Sequence, residues 1–331
     1  MSAPSLSSAA PTSPRCSTQL LEDLPGTAKT GTVYVVLEYH YGWGHDVLDD
    51  DVFGPELAAA MRGHLKKYGA SLQLVRKPGR AGQDRPQRTL YVVHTGNGVT
   101  APWARRLEVT GPSDVLEIDL ATPESVGGEP VEHPLLLVCT HGKRDMCCAL
   151  RGRPLAASLQ ATFPGDEVWE SSHTKGHRFA PSVILLPWGY SFGRLDAAAA
   201  KAMLQQAARG RMVVDGNRGR GCFDAPGQVA ELAVAAALLD AGEDLAMGAL
   251  HVTEESSADE ELQARLVADL VAASPEGYDE ARLLARTVIH PDGRVWEVLL
   301  AQDSSAPVMA SCGAAAKPQT TYRAVFLRAA E

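Results

Sequence analysis

Two apolar, β-branched runs, Thr32–Glu38 (TVYVVLE) and Pro134–Thr140 (PLLLVCT), constrain this chain more than any other feature. A continuous apolar run of that length reads as a strand buried on both faces, the kind that sits inside an α/β sheet. Each run is followed by a helical stretch, Pro55–Lys67 after the first and Leu150–Phe163 after the second. Extended segments follow the first helix at Ser71–Arg76, Thr89–His94, Arg106–Thr110 and Val115–Leu120. The second series continues with Glu167–Ser171 and a hairpin of Ser182–Leu186 and Tyr190–Arg194 around Pro187-Trp188-Gly189. An alanine-rich helix over Asp196–Arg209 closes it. The shared order of elements points to an internal structural duplication, although residue-level similarity between the two series is weak.

The order β-α-β-β-β-α, with Cys139 at the C-terminal end of its strand, matches a thioredoxin-like arrangement. The expected fold is therefore α/β, with two thioredoxin-like domains in tandem over residues 28–128 and 129–214. A C-terminal α+β portion over 215–331 holds a helix at Ala225–Ala241 and a final strand at Tyr322–Leu327. Between them lie an acidic stretch, Glu254–Glu261, and a hairpin over Arg286–Leu300 that turns on Pro291-Asp292-Gly293. Pro123–Pro134 reads as a linker. Residues 1–27 are rich in Ser, Ala and Pro and lack the basic start and apolar block of a signal peptide, so they read as a disordered tail.

The formal charge of −9 argues against nucleic acid or an anionic membrane as the main partner. No run of about twenty apolar residues exists to span a bilayer. A cytoplasmic location is the default. In a reducing compartment the six cysteines are thiols or metal ligands and not a disulfide framework.

Four soft donors fall within the stretch CTHGKRDMCC…SSHTKGHRFA: Cys139, Cys148, His173 and His177. Thiolates and imidazoles gathered this way are what zinc, or an iron–sulfur cluster with mixed ligands, requires. Eight residues separate Cys139 from Cys148, too many for a CxxC redox pair, yet a loop of that length can wrap a cluster. His173 and His177 stand at i and i+4, and Lys143 and Arg144 supply positive charge that favours thiolates. Cys147 lies next to Cys148, and only one of the two is expected to point inward. The plainer reading makes Cys139 a core residue and the histidines surface groups. Cys139-Thr140-His141 resembles half of a Rieske motif, but no Cys followed three residues later by His completes it, so His141 is read as supporting or structural. The glycines of DGNRGRGCF (Gly216, Gly219, Gly221) lack the context of a phosphate loop and read as a basic turn. Cys222 and Cys312 read as incidental thiols before a reactive or metal-binding pair, and Trp188 and Phe192 as core.

Taken together, CTHGKRDMCC and SSHTKGHRFAPSVILLPWGYSFGRLD resemble the sucrase/ferredoxin-like family. GWGHDV near Trp43 and the late Ser311–Gly313 (SCG) extend the resemblance weakly over most of the chain. It implies a thioredoxin-like [2Fe–2S] ferredoxin whose cluster is held by Cys139, Cys148, His173 and His177, with Cys147 at a non-ligand position. One departure stands out: Thr174-Lys175-Gly176 replaces the family's x-Gly-Gly between the two histidines. The "sucrase" of the family name carries no weight, because glycoside hydrolysis needs two convergent carboxylates and no segment singles out such a pair.

With that ligand set the expected function is one-electron transfer with a redox protein partner, a reductase or an oxidised acceptor. Two ferric ions, two sulfides and two thiolates sum to a neutral centre, so reduction is easier than in an all-cysteine cluster. Histidine ring nitrogens not bound to iron can carry protons, which predicts a potential falling by about 59 mV per pH unit once a histidine titrates in the oxidised state. Two rival expectations are a zinc-stabilised or cluster-free binding module on the same scaffold, and a thiol oxidoreductase using Cys147 or Cys148.

Overall fold

The computed structural model describes residues 15–48, 52–80, 85–253, 258–273 and 282–330. Its first strand, β1 (Val33–Glu38), is buried at all six positions, as its unbroken apolar run requires of a central strand. Helix α1 (Pro55–Lys67) leads to β2 (Ala70–Arg76), which lies parallel to β1, and β3 (Arg88–His94) and β4 (Trp103–Val109) follow antiparallel on the other side. A four-residue helix, α2 (Pro123–Val126), and the edge strand β5 (Glu129–Pro130) end this half.

The second half repeats the plan. β6 (Leu135–Cys139), α3 (Met146–Thr162) and β7 (Val168–Ser171) form a parallel crossover, and β8 (Ser182–Leu186) and β9 (Tyr190–Gly193) run antiparallel beside β6. α4 (Ala197–Ala207) and the edge strand β10 (Asn217–Arg220) follow. One ten-stranded sheet results, ordered β10-β9-β8-β6-β7-β2-β1-β3-β4-β5. The halves join where β2 pairs antiparallel with its counterpart β7 (Val75 opposite Ser171, Arg76 opposite Glu170), the pairing a two-fold relation between them demands. Strand alternation sends Val35 and Leu37 onto the α1 side and Leu136 and Val138 into the core holding Leu155 and Leu159 of α3. Tyr34 and Val36 share a third core with Leu135, Leu137 and Trp169 across the joint.

Helix α5 (Ala225–Asp240) is apolar nearly all round because it is sandwiched. Its residues share the core of the second half with Val288, Trp296 and Val298 of a second sheet, β11-β12-β13-β14. That sheet comprises β11 (His251–Val252), β12 (Leu283–Ile289), β13 (Val295–Ser304) and β14 (Thr320–Ala329), with α6 (Ala258–Ala273) packed through Leu266 and Leu270 on the strand residues Leu283 and Leu299. Among the described residues no helix is long and apolar enough to cross a membrane.

Several local expectations are corrected. Val115–Leu120 is not extended: Pro112–Glu117 forms a 3-10 helix, started by Pro112 and held by Asp114, which accepts from the Thr110 amide. The span read as a linker contains α2, started by a Thr122–Ser125 capping box, and β5, paired with β4. The glycines of DGNRGRGCF flank and interrupt a strand, not a basic turn, and Arg218 and Arg220 point inward. Residues 15–27 pack against the body: Cys16 and Ser17 are buried, and Glu22 pairs with Arg178. Part of the acidic stretch, 254–257, lies outside the described residues, and 258–261 begin α6.

Candidate metal centre

The last residue of β6 is Cys139, fully buried, and only residues 140–145 separate it from α3. That helix begins four residues earlier than its apolar pattern indicates, because Asp145 caps it by accepting from the Cys147 amide (2.8 Å). The loop expected to wrap from Cys139 to Cys148 is therefore short, and Cys148 sits in the first helical turn. Successive helical residues point about 100° apart. Cys147 and Cys148 are accordingly both buried, each 1% exposed, and face different neighbours. The expectation that only one would point inward is corrected. Gly152, one turn on, lets α3 approach the Cys139 carbonyl closer than any Cβ would permit.

The histidines come from the β7–β8 connection. The Lys175 amide donates to His173 Nδ1 (3.2 Å), which curls the loop. Lys175 (φ 59°) and Gly176 (φ 85°) are both left-handed, and a 3-10 turn, His177–Phe179, follows. The Lys175 position is where the resembling family has glycine, and the backbone conformation explains why. The imidazoles of His173 and His177 stack with centroids 4.4 Å apart, and His177 Nδ1 lies 3.7 Å from Cys148 Sγ. Cys139 is held well below the usual thiol range by hydrogen bonding from Cys148 and then, against the opposing effect of burial, by His173. The same bond raises Cys148, which keeps its proton. Burial pushes His177 down to about 4, with His173 contributing, so its ring is neutral and able to ligate at neutral pH. All four residues expected to hold a metal thus come to one place.

Sequence reasoning missed the residue beneath this loop. Arg218 of β10, 2% exposed, donates Nη1 to the Lys175 carbonyl (3.3 Å) and to Ser182 Oγ (3.2 Å), and Nε to Thr27 Oγ1 (3.1 Å). Its Nη2 donates to the Thr27 carbonyl. Arg178, Arg194 and Arg218 all face the Phe179 ring, within 5.2 Å of its centroid. Glu22 is the carboxylate that pairs with Arg178 and helps keep Arg218 charged, against burial that lowers it to about 9. Arg218 was overlooked because a glycine-flanked arginine in sequence resembles an exposed turn. His141 is buried and donates from Nε2 to the Gly44 carbonyl (2.9 Å), its ring edge-on to Trp43, so its role is to tie the first half to the second.

A second cluster of donors surrounds Cys147. Cys16, Asp145, Cys147 and Cys312 each offer one ligand atom, all within 4.8 Å of one another. Cys312 belongs with these and not with Cys222, which burial raises to about 12 elsewhere. Trp188 and Phe192 pack in the main core, and the Ala180–Pro181 peptide is cis.

A family model described as sucrase/ferredoxin-like matches residues 24–219, a span that covers both halves of the large sheet and ends in β10. No curated protein and no solved structure matches the chain.

Proposed function

The chain belongs to the sucrase/ferredoxin-like family, and from its buried Cys–His constellation we propose that it is an electron-transfer protein holding a [2Fe–2S] cluster on Cys139, Cys148, His173 and His177. The observation that carries this reading is the mutual contact of two buried thiols and two stacked imidazoles, with Cys148 Sγ 3.7 Å from His177 Nδ1. The donor set fits: Cys139 is already biased to the thiolate and His177 to the neutral ring, the forms that bind iron. The bound cluster supplies reversible one-electron chemistry at a potential above that of all-cysteine ferredoxins.

The chain's own residues shape that chemistry. Three arginines around Phe179 with Glu22 beside them favour added negative charge, which raises the potential further. His173 is half-buried and opens on a cavity of about 470 Å³ that Lys29, Lys66 and Lys175 also line. This is the edge at which a redox partner, a reductase or an electron acceptor, would exchange electrons and His173 its proton. Each half of the sheet is read as a thioredoxin-like unit, and the protein as cytoplasmic. The thiol-oxidoreductase reading is disfavoured because Cys147 and Cys148, each 1% exposed, cannot be reached by a substrate disulfide.

The test is an anaerobic ultraviolet–visible spectrum of the freshly purified protein, with iron and sulfide assayed on the same sample. Red-brown protein with matched iron and sulfide, losing both in His173→Ala, is expected. Colourless protein that takes up no iron and sulfide on reconstitution overturns the proposal. A potential that does not change with pH across the neutral and alkaline range removes the proton-coupled part alone.

A further inference from the structure

The cluster around Cys147 draws on three distant parts of the chain. Cys16 lies in the 3-10 turn Cys16–Thr18, Asp145 and Cys147 start α3, and Cys312 follows β13. The three sulfurs form a triangle: Cys16 to Cys147 is 3.7 Å, Cys16 to Cys312 is 3.6 Å and Cys147 to Cys312 is 3.3 Å. Asp145 completes the set, with Oδ1 3.7 Å and Oδ2 3.6 Å from Cys16 Sγ. A tetrahedral ion with metal–sulfur bonds of about 2.3 Å places its sulfurs about 3.8 Å apart, and a carboxylate oxygen slightly closer. The observed spacings are those of one such ion. A polynuclear cluster spreads its ligands over separate metal atoms and holds them farther apart.

Charge points the same way. Asp145 is 4% exposed, and among the described residues no Lys or Arg pairs with it. A buried carboxylate among three thiols and without a cation is expensive. Backbone amides of Cys147 and Cys312 (2.8 Å each) orient its two oxygens and leave each a further lone pair. A disulfide between two of the cysteines would strand the third thiol and leave the carboxylate without a cationic partner.

We propose that Cys16, Asp145, Cys147 and Cys312 bind a single zinc-class divalent cation, a second metal site distinct from the Cys139/Cys148/His173/His177 centre. Thiolates select such a soft-to-borderline ion over magnesium or calcium. The ion clasps the segment before β1 and the segment before β14 onto the N-terminus of α3, one residue from Cys148. The Met309 amide, which donates to Gln19 Oε1 (2.8 Å), already joins the two segments. Cys16 and Cys312 are 296 positions apart in sequence, so the clasp closes almost the whole chain.

The experiment is zinc and iron content of the full chain, purified and zinc-loaded under reducing conditions, for the natural sequence and for Cys16→Ser, Cys312→Ser and His173→Ala. One zinc per chain is expected, lost in both serine variants and kept in His173→Ala, which loses iron instead. Should the serine variants fail to fold, cobalt loaded into the natural sequence must show the sulfur-to-metal absorption and intense visible bands of a tetrahedral thiolate site. Zinc retained in both serine variants overturns the proposal. So do cobalt bound without sulfur absorption, no zinc uptake at all, or iron that leaves with Cys312. Iron and zinc are read separately, so the failure of one site is distinguishable from the failure of the other.

Discussion

The two halves of the large sheet share one topology and divide the work. In the second half, the strand end at Cys139, the first turn of α3 and the β7–β8 connection supply all four donors of the candidate centre. In the first half the corresponding strand ends in Glu38, buried and accepting from the Thr89 amide (2.9 Å), and the corresponding helix starts at Gly54-Pro55. No donor set stands there among the described residues. What the first half offers instead is cover. Its β1–α1 connection brings Gly44 to His141, Trp43 onto the same ring, and His45 to Arg144 (3.0 Å). Arg76 lies over the Trp43 ring, 4.3 Å from its centroid. A repeated scaffold thus keeps its hydrogen-bonded frame in both halves, while one half holds the candidate centre and the other covers it.

The corresponding helices give the sharpest way to break this comparison. In α3, a methyl group at Gly152 would collide with the Cys139 carbonyl, a backbone atom with no rotamer to escape into. Gly152→Ala should cost about 3 kcal/mol or more, with loss of bound iron, read by chemical denaturation and metal assay. A stable, fully loaded variant would show that α3 does not need its close approach. Next in size is Arg218→Met, which leaves the Lys175 and Thr27 carbonyls without a charged donor. Stability should fall by on the order of 2–3 kcal/mol, and the reduction potential should fall as well because a buried positive charge is gone. An unchanged potential would detach the arginines from redox tuning.

The sign reverses in the first half. Gly63 sits exposed inside α1, and a methyl there meets nothing within 4 Å. Gly63→Ala should therefore raise stability by about 1 kcal/mol, the ordinary gain in helix propensity, as a shift in denaturation midpoint. Destabilisation would mean that this helix, too, is held by an unseen close contact. The smallest effect is expected at Lys175, whose left-handed backbone costs about 1–2 kcal/mol for a residue with a Cβ. Because glycine loses more entropy on folding, Lys175→Gly should gain only about 0.5 kcal/mol. It should leave the spectrum of the centre unaltered, and a changed spectrum would give the Lys175 side chain a part in shaping the site.

Much of this was legible beforehand, and for local reasons. Helix α1 matches its expected bounds because Gly54-Pro55 starts it and its apolar residues recur at helical spacing. The fully buried strands β1, β6 and β8 are continuous apolar runs that no exposed element tolerates. The four candidate ligands stood out because soft donors in one short stretch are uncommon and the resembling family's pattern carries the same spacing. The start of α3 was misplaced because Asp145 ends a polar stretch, and a cap acts through one hydrogen bond that no apolar period announces.

By itself, then, the sequence determined what depends on neighbours along the chain: strand and helix identity, the repeated order of elements, and a Cys–His set within one span. The tertiary structure alone decided what depends on distant segments meeting. It turned Arg218 from a turn residue into the buried support of the histidine loop. It also sent Cys147 away from Cys148 to meet Cys16 and Cys312. The physical reason is geometric: a helix turns adjacent side chains toward different neighbours, and those neighbours here come from opposite ends of the chain.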